Sequence, residues 1–189
     1  LTKKVEGKVA LVTAASRGLS FATAIHLAKA GAHIVATART KGGLEELDDA
    51  VKAVGSTATL MPMNITDLDA IDRLGASIFE RFKKLDILIG NAGTLGKLTP
   101  LAHVEPKVWE ESLAINLTSN YRLIRSMDSL MQAAPAGRAV FVTSGLAYKC
   151  FPYWGTYSIG KAALEALMKT YAAEVATTNM RVNCFSPGP

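Results

Sequence analysis

Apolar positions fall along this chain in two alternating rhythms. Short, nearly continuous apolar runs occur at KVALVT (8–13), HIVATA (33–38), ATLMPM (58–63), LDILIG (85–90), RAVFVT (138–143) and RVNCFS (181–186). Runs of this length and density predict parallel strands covered on both faces. Between them, apolar residues recur at helical spacing over about 18–30, 41–54, 67–83, 105–132 and 155–177. Strict alternation of this kind predicts an α/β fold, a doubly wound parallel sheet of six strands with right-handed crossovers. The connections are short and no linker or repeat interrupts them, so residues 1–189 are expected to form one domain. The chain stops at SPGP (186–189), directly after the sixth strand, which predicts that a C-terminal segment is missing.

Composition narrows the partners. The 189 residues are 49% apolar and 20% charged, ordinary for a globular domain with a sizeable core. A net charge of +5, spread without any basic block, argues against nucleic acid and suits an anionic small ligand. Cys150 and Cys184 stand in no metal-ligand or redox spacing and are expected as reduced thiols in or near the core. His26, His33 and His103 are scattered, so no metal site is expected. No apolar run approaches the roughly 20 residues that span a bilayer, and no signal-peptide pattern opens the chain. A cytoplasmic protein without a membrane partner is the expectation.

Candidate chemistry begins at VTAASRGLS (12–20), a strand–turn–helix connection. Backbone N–H groups in such a turn, at the positive end of a helix, suit a pyrophosphate. At the end of the second strand, a dinucleotide site places either a carboxylate for the ribose 2′-hydroxyl or an arginine for a 2′-phosphate. Ala38 and Arg39 occupy that place, and Arg17 lies in the turn itself. The two arginines are either phosphate ligands or solvated surface residues; as ligands they favour NADP(H) over NAD(H).

A second signal is YSIGK, in which Tyr157 and Lys161 stand four apart on one helix face. The pair is either an exposed helix face or a phenol whose proton a neighbouring cation makes easier to exchange at neutral pH. Its position after the fifth strand favours chemistry. Ser144, thirteen residues earlier, sits at that strand's C-terminal end, where open α/β sheets bind ligands. Its hydroxyl could hold a carbonyl oxygen beside the Tyr157 proton. GNAG (90–93) follows the fourth strand at the same sheet edge. Asn116, polar within the apolar helical stripe Leu113, Leu117, Tyr121 and Ile124, is either a capping or kinking residue or a site residue. The stripe itself reads as core or helix–helix interface.

These residues together resemble the short-chain dehydrogenase/reductase family, in the family's order and over essentially the whole chain. Residues 13–20 are similar to T-G-x-x-x-G-x-G except at Ala14 and Ser20. GNAG resembles N-N-A-G with Gly90 in place of the first asparagine, and NITD (64–67) resembles the segment beside the adenine. Asn116, Ser144, Tyr157 and Lys161 fit the catalytic tetrad, and SPGP fits the segment leading to the nicotinamide.

The resemblance implies a Rossmann fold and an NADP-dependent oxidoreductase. Hydride would pass between NADP(H) and a carbonyl or secondary-alcohol substrate, with reduction, of 3-oxoacyl compounds for example, as the expected direction. Tyr157 would be the acid/base, Ser144 would orient the carbonyl, and Lys161 would bind the ribose and ease the Tyr157 proton. Asn116 would hold a connecting water. The cofactor would meet Thr13, Ala15, Ser16, Arg17, Gly18, Leu19, Arg39, Asn64, Ile65, Asn91, Ala92, Gly93, Tyr157, Lys161, Pro187 and Gly188. Family members assemble as homodimers or homotetramers through the two long helices.

Ile159 and Gly160 are given packing roles only. Trp154 or Tyr153 is expected either to line the substrate pocket or to make a subunit contact. Ala14 is tolerable if φ stays negative there, and Ser20 is expected to displace the first helix slightly. The rival function is a dinucleotide-binding sensor or scaffold without turnover.

Overall fold

The computed structural model describes residues 4–188, so Pro189 of the SPGP segment lies outside the described residues. The strands are β1 (Val9–Thr13), β2 (His33–Ala38), β3 (Ala58–Pro62), β4 (Ile87–Gly90), β5 (Arg138–Val142) and β6 (Arg181–Phe185). The helices are α1 (Gly18–Lys29), α2 (Lys41–Ala53), α3 (Leu68–Phe82), α4 (Pro106–Leu113), α5 (Ser119–Gln132), α6 (Leu146–Lys149) and α7 (Gly155–Glu174). All pairings are parallel, in the order β3-β2-β1-β4-β5-β6. The strand order reverses between β1 and β4, and the C-terminal ends of those strands open a crevice there.

Alternation along β1 shows why the strands are apolar throughout. Val9 and Leu11 enter one core with Ile71, Leu74, Leu123, Met127 and Leu164, while Ala10 and Val12 enter a second with Ala24, Ala28, Leu44 and Leu47. Helices α3, α5 and α7 therefore cover one face and α1 and α2 the other. Each fully buried Leu or Ile contributes about 2 kcal/mol. Tyr171 on α7 donates to Asp128 on α5 at 2.6 Å, and Arg122 on α5 pairs with Asp72 on α3, so the helices of one layer are also tied through polar groups. Asp86, 1% exposed, accepts from the Val9 N–H and from Lys8 and Lys84, joining the starts of β1 and β4. Burial pushes its carboxyl up, but those donors outweigh it and hold it below the usual carboxylate range.

Three expectations are corrected. The region 105–132 is not one helix: Ala114–Thr118 forms a π turn between α4 and α5. That inserted residue rotates the faces of α4 and α5 against each other. Of the two readings of the stripe Leu113, Leu117, Tyr121 and Ile124, core and helix–helix interface, the first holds only for Ile124, which packs partly against the core; Tyr121 is 48% exposed, and Leu123, Met127 and Leu130 form the buried face. Cys150 and Cys184 are free but exposed rather than in the core. Cys150 lies beyond the last turn of α6, and Cys184 lies on β6, which among the described residues pairs only with β5.

Candidate active site

The phosphate turn begins where β1 ends. Thr13 is fully buried, and its hydroxyl accepts from the N–H groups of Asn91 (2.9 Å) and Ala92 (3.2 Å) while donating to the Ile89 carbonyl. It thus sews β1 to the segment after β4 across the crevice. Ala14 follows with φ +53°, the left-handed conformation in which glycine would be free and alanine is strained by roughly 1 kcal/mol. The negative φ on which easy tolerance of an alanine depended is not found here. The Ala15 N–H donates to the Thr37 carbonyl at 2.9 Å and is committed to β2. Arg17 is extended and exposed, and Gly18 (φ +60°) opens α1.

Helix α2 approaches this turn through Gly43. A Cβ at that position would stand 2.8 Å from the Ser16 Cβ. Sequence reasoning passed over Gly43, although the glycine pair at the head of a helix in KGGLEE was the available signal.

A cleft of about 670 Å³ opens between these elements. Ser16, Arg17, Arg39, Asn64, Ile65, Ala92 and Gly93 of the predicted cofactor set line it. Thr13, Ala15, Gly18, Leu19, Asn91, Tyr157, Lys161, Pro187 and Gly188 are outside that lining. Glu111 and Ile115 wall the cleft from α4 and the π turn, and neither was foreseen. The volume is that of a nucleotide-sized ligand, and two exposed guanidiniums beside a helix N-terminus fit its phosphates.

The second half of the site is built by close packing. Asn116, in the π turn and fully buried, accepts from the Thr94 N–H (3.0 Å) and donates to the Thr94 carbonyl (2.9 Å). Its own carbonyl accepts from the Asn120 side chain at 2.9 Å. It is thus no cap: its amide holds the segment after GNAG. Gly160 brings α7 against the turn, since a Cβ there would lie 2.9 Å from the Asn116 Cβ. Gly93 does the same opposite, where a Cβ would stand 3.3 Å from Asn116 Oδ1 and 3.5 Å from Lys161 Nζ. Gly90, in the place of the family's first asparagine, leaves room for Phe141, whose Cδ1 would be 2.2 Å from an added Cβ.

Lys161, 3% exposed, donates to the Val142 carbonyl at 2.6 Å and stands 5.7 Å from the Tyr157 ring centre. Burial lowers its ammonium to about 8, with Cys184 opposing weakly. Ser144, two residues beyond Val142, is half-buried and accepts from the Leu146 N–H at 3.3 Å. The half-buried Trp154 lies 6.3 Å from the Tyr157 ring. Tyr153 is 60% exposed with φ +72°, its carbonyl accepting from the Thr99 N–H at 3.1 Å. Pro187 and Gly188 are exposed beyond β6. No helix among the described residues is long and apolar enough to cross a membrane.

Residues 8–189 match the family described as short chain dehydrogenase. The mouse (Mus musculus) protein named dehydrogenase/reductase SDR family member 4 is 33% identical over 184 residues, 97% of this chain and 66% of that protein. The chain therefore spans about two thirds of that relative's length. Among solved structures, a short chain dehydrogenase from Shigella flexneri 2a complexed with NADP superposes with a TM-score of 0.94 at 26% identity, covering 100% of this chain and 80% of that one. An NAD+-bound xylitol dehydrogenase superposes at 0.93 with 31% identity, over 98% of this chain and 71% of its own.

Proposed function

The chain belongs to the short-chain dehydrogenase family, and on that footing we propose that it reduces a carbonyl compound with NADPH, or oxidises the matching secondary alcohol with NADP. The observation that carries the reading is the buried Lys161, held beside the Tyr157 ring and close to Gly93, which in turn packs against Asn116. Bound in the cleft, the dinucleotide would supply or accept the hydride. Tyr157 gives its hydroxyl proton to the carbonyl oxygen as the carbon receives that hydride. Lys161 favours the resulting phenolate by its charge, and Ser144 donates a hydrogen bond that orients the oxygen. Asn116 holds the water through which Lys161 exchanges protons with solvent.

Preference for NADP(H) is supported by Arg17 and Arg39 lining one cleft, with Ala38 rather than a carboxylate at the end of β2. Exposed Leu95, Leu98, Phe151 and Tyr153 belong to the two loops joined near Tyr157 by the Thr99–Tyr153 bond, which supports an apolar body on the substrate. The half-exposed Leu113, Leu117 and Tyr121 support a homodimer or homotetramer, and the cytoplasm is the proposed place of work. In titrations of the full protein, NADPH binds more tightly than NADH. Arg39→Ala raises the NADPH Kd about tenfold and leaves NADH unchanged. Equal affinities would remove the arginines from the reading, and binding without turnover of any ketone would leave a sensor or scaffold.

A further inference from the structure

We propose that Ser20 is a positioning residue that closes the phosphate turn on itself and holds Ala14 in its left-handed conformation. The two departures of this turn from T-G-x-x-x-G-x-G are then one compensating pair. The proposal rests on the dinucleotide reading above.

Ser20 is fully buried in the first turn of α1. Its hydroxyl donates to the Thr13 carbonyl at 2.8 Å and accepts from the Asn91 side-chain amide at 2.7 Å. Thr13 and Ser20 bound the turn, so the first bond ties its two ends directly across Ala14–Leu19. The second bond completes a ring. From the Thr13 carbonyl it runs through Ser20 Oγ to Asn91 Nδ2, and through the Asn91 N–H back to Thr13 Oγ1. Deleting the hydroxyl breaks the ring at one point and leaves the Thr13 carbonyl and the Asn91 amide short of a partner.

A non-glycine residue persists in the left-handed region only where its surroundings over-determine it. Ala14 is such a residue, at φ +53°. It is followed by Ala15, tied to Thr37, but its own side of the turn is fixed by the Thr13–Ser20 bond. A glycine at position 20 would pack as closely and supply no such bond. The expected displacement of α1 by Ser20 does not take the form of a steric misfit, since the hydroxyl has a partner on both sides. The ring thus commits both the Asn91 side-chain amide and its backbone N–H to the protein.

A mutant cycle tests the pairing, with NADPH as the probe and calorimetry at a temperature well below melting as the readout. Ser20→Ala removes only the hydroxyl, and Ser20→Gly installs the residue of the family pattern. Each raises the NADPH Kd about tenfold where residue 14 is alanine and less than twofold in the Ala14→Gly protein, with kcat at saturating NADPH and the carbonyl KM unchanged. Ser20→Ala keeps the side-chain volume and remains the test should Ser20→Gly fail to fold. A tenfold loss in both backgrounds, a tighter Kd for Ser20→Gly, or a lowered melting temperature with unchanged Kd overturns the assignment. Should the wild-type protein bind neither NADPH nor NADH, the functional reading falls first and this one with it.

Discussion

At the end of β1 the chain turns in the open, with Arg17, Gly18 and Leu19 exposed and the neighbouring Arg39 exposed on the next strand's end. On α7 and the π turn, Asn116 and Lys161 are 0% and 3% exposed, and Gly160 and Gly93 press their neighbours together. What the exposed part of the first region offers a ligand is backbone direction and mobile charge. The second has little freedom: one added methyl at Gly160 would meet the Asn116 Cβ at 2.9 Å. Two departures from the family pattern, Ala14 and Ser20, fall in the turn after β1, and a third, Gly90, is met by a closely packed Phe141, whereas Asn116, Ser144, Tyr157 and Lys161 are all present.

The contrast is broken most sharply by Tyr157→Phe. Ketone reduction should fall about 10³-fold with dinucleotide Kd nearly unchanged, because the phenol acts on the proton and not on the cleft. Retained turnover would show that the buried half is scaffolding.

A pH series sharpens the comparison further. Lys161 titrates at about 8 against an ordinary 10.5. Turnover should decline by up to tenfold per pH unit above about 8, as the ammonium is lost. Its folded value is depressed, so the unfolded chain holds the extra proton between about 8 and 10.5, and the Lys161 contribution to stability rises with pH over that window. Activity and the melting temperature should therefore move in opposite directions there, and Lys161→Met should abolish both trends.

The smallest effect belongs to the open turn. Ala14→Gly relieves a left-handed alanine and should stabilise the protein by about 1 kcal/mol, read as a denaturation midpoint at higher urea. A loss of stability would mean that φ at residue 14 is not strained.

The central strands were legible because parallel strands covered on both faces announce themselves as continuous apolar runs, and the edge strands β3 and β6 because they recur in the same alternation with helices. Ser144, Tyr157 and Lys161 could be proposed together because their spacing is local to one strand and the helix after it, whereas Asn116 came only from the family resemblance and its polarity in an apolar stripe. What escaped depends on distance or on a change of period. The Ser20–Asn91 bond joins residues 71 apart, so the sequence showed only a missing glycine. The break between α4 and α5 was hinted at only by the kinking alternative at Asn116, because AINLT otherwise continues the helical spacing; its extra residue is seen in which side chains are buried. The exposure of Cys184 follows from its strand standing at the sheet edge, which strand order decides and local sequence does not.

The π turn has one more consequence, for how this helix pair came to serve two purposes. One inserted residue turns everything before it by about 100° relative to everything after it. Glu111 and Ile115 can then look into the cleft while Leu123, Met127 and Leu130 look into the core. A uniform helix would have to choose between lining a ligand and filling an interior. A single-residue insertion, among the smallest changes a gene can make, lets one continuous rod do both, and it leaves Asn116 at the joint where the two duties meet.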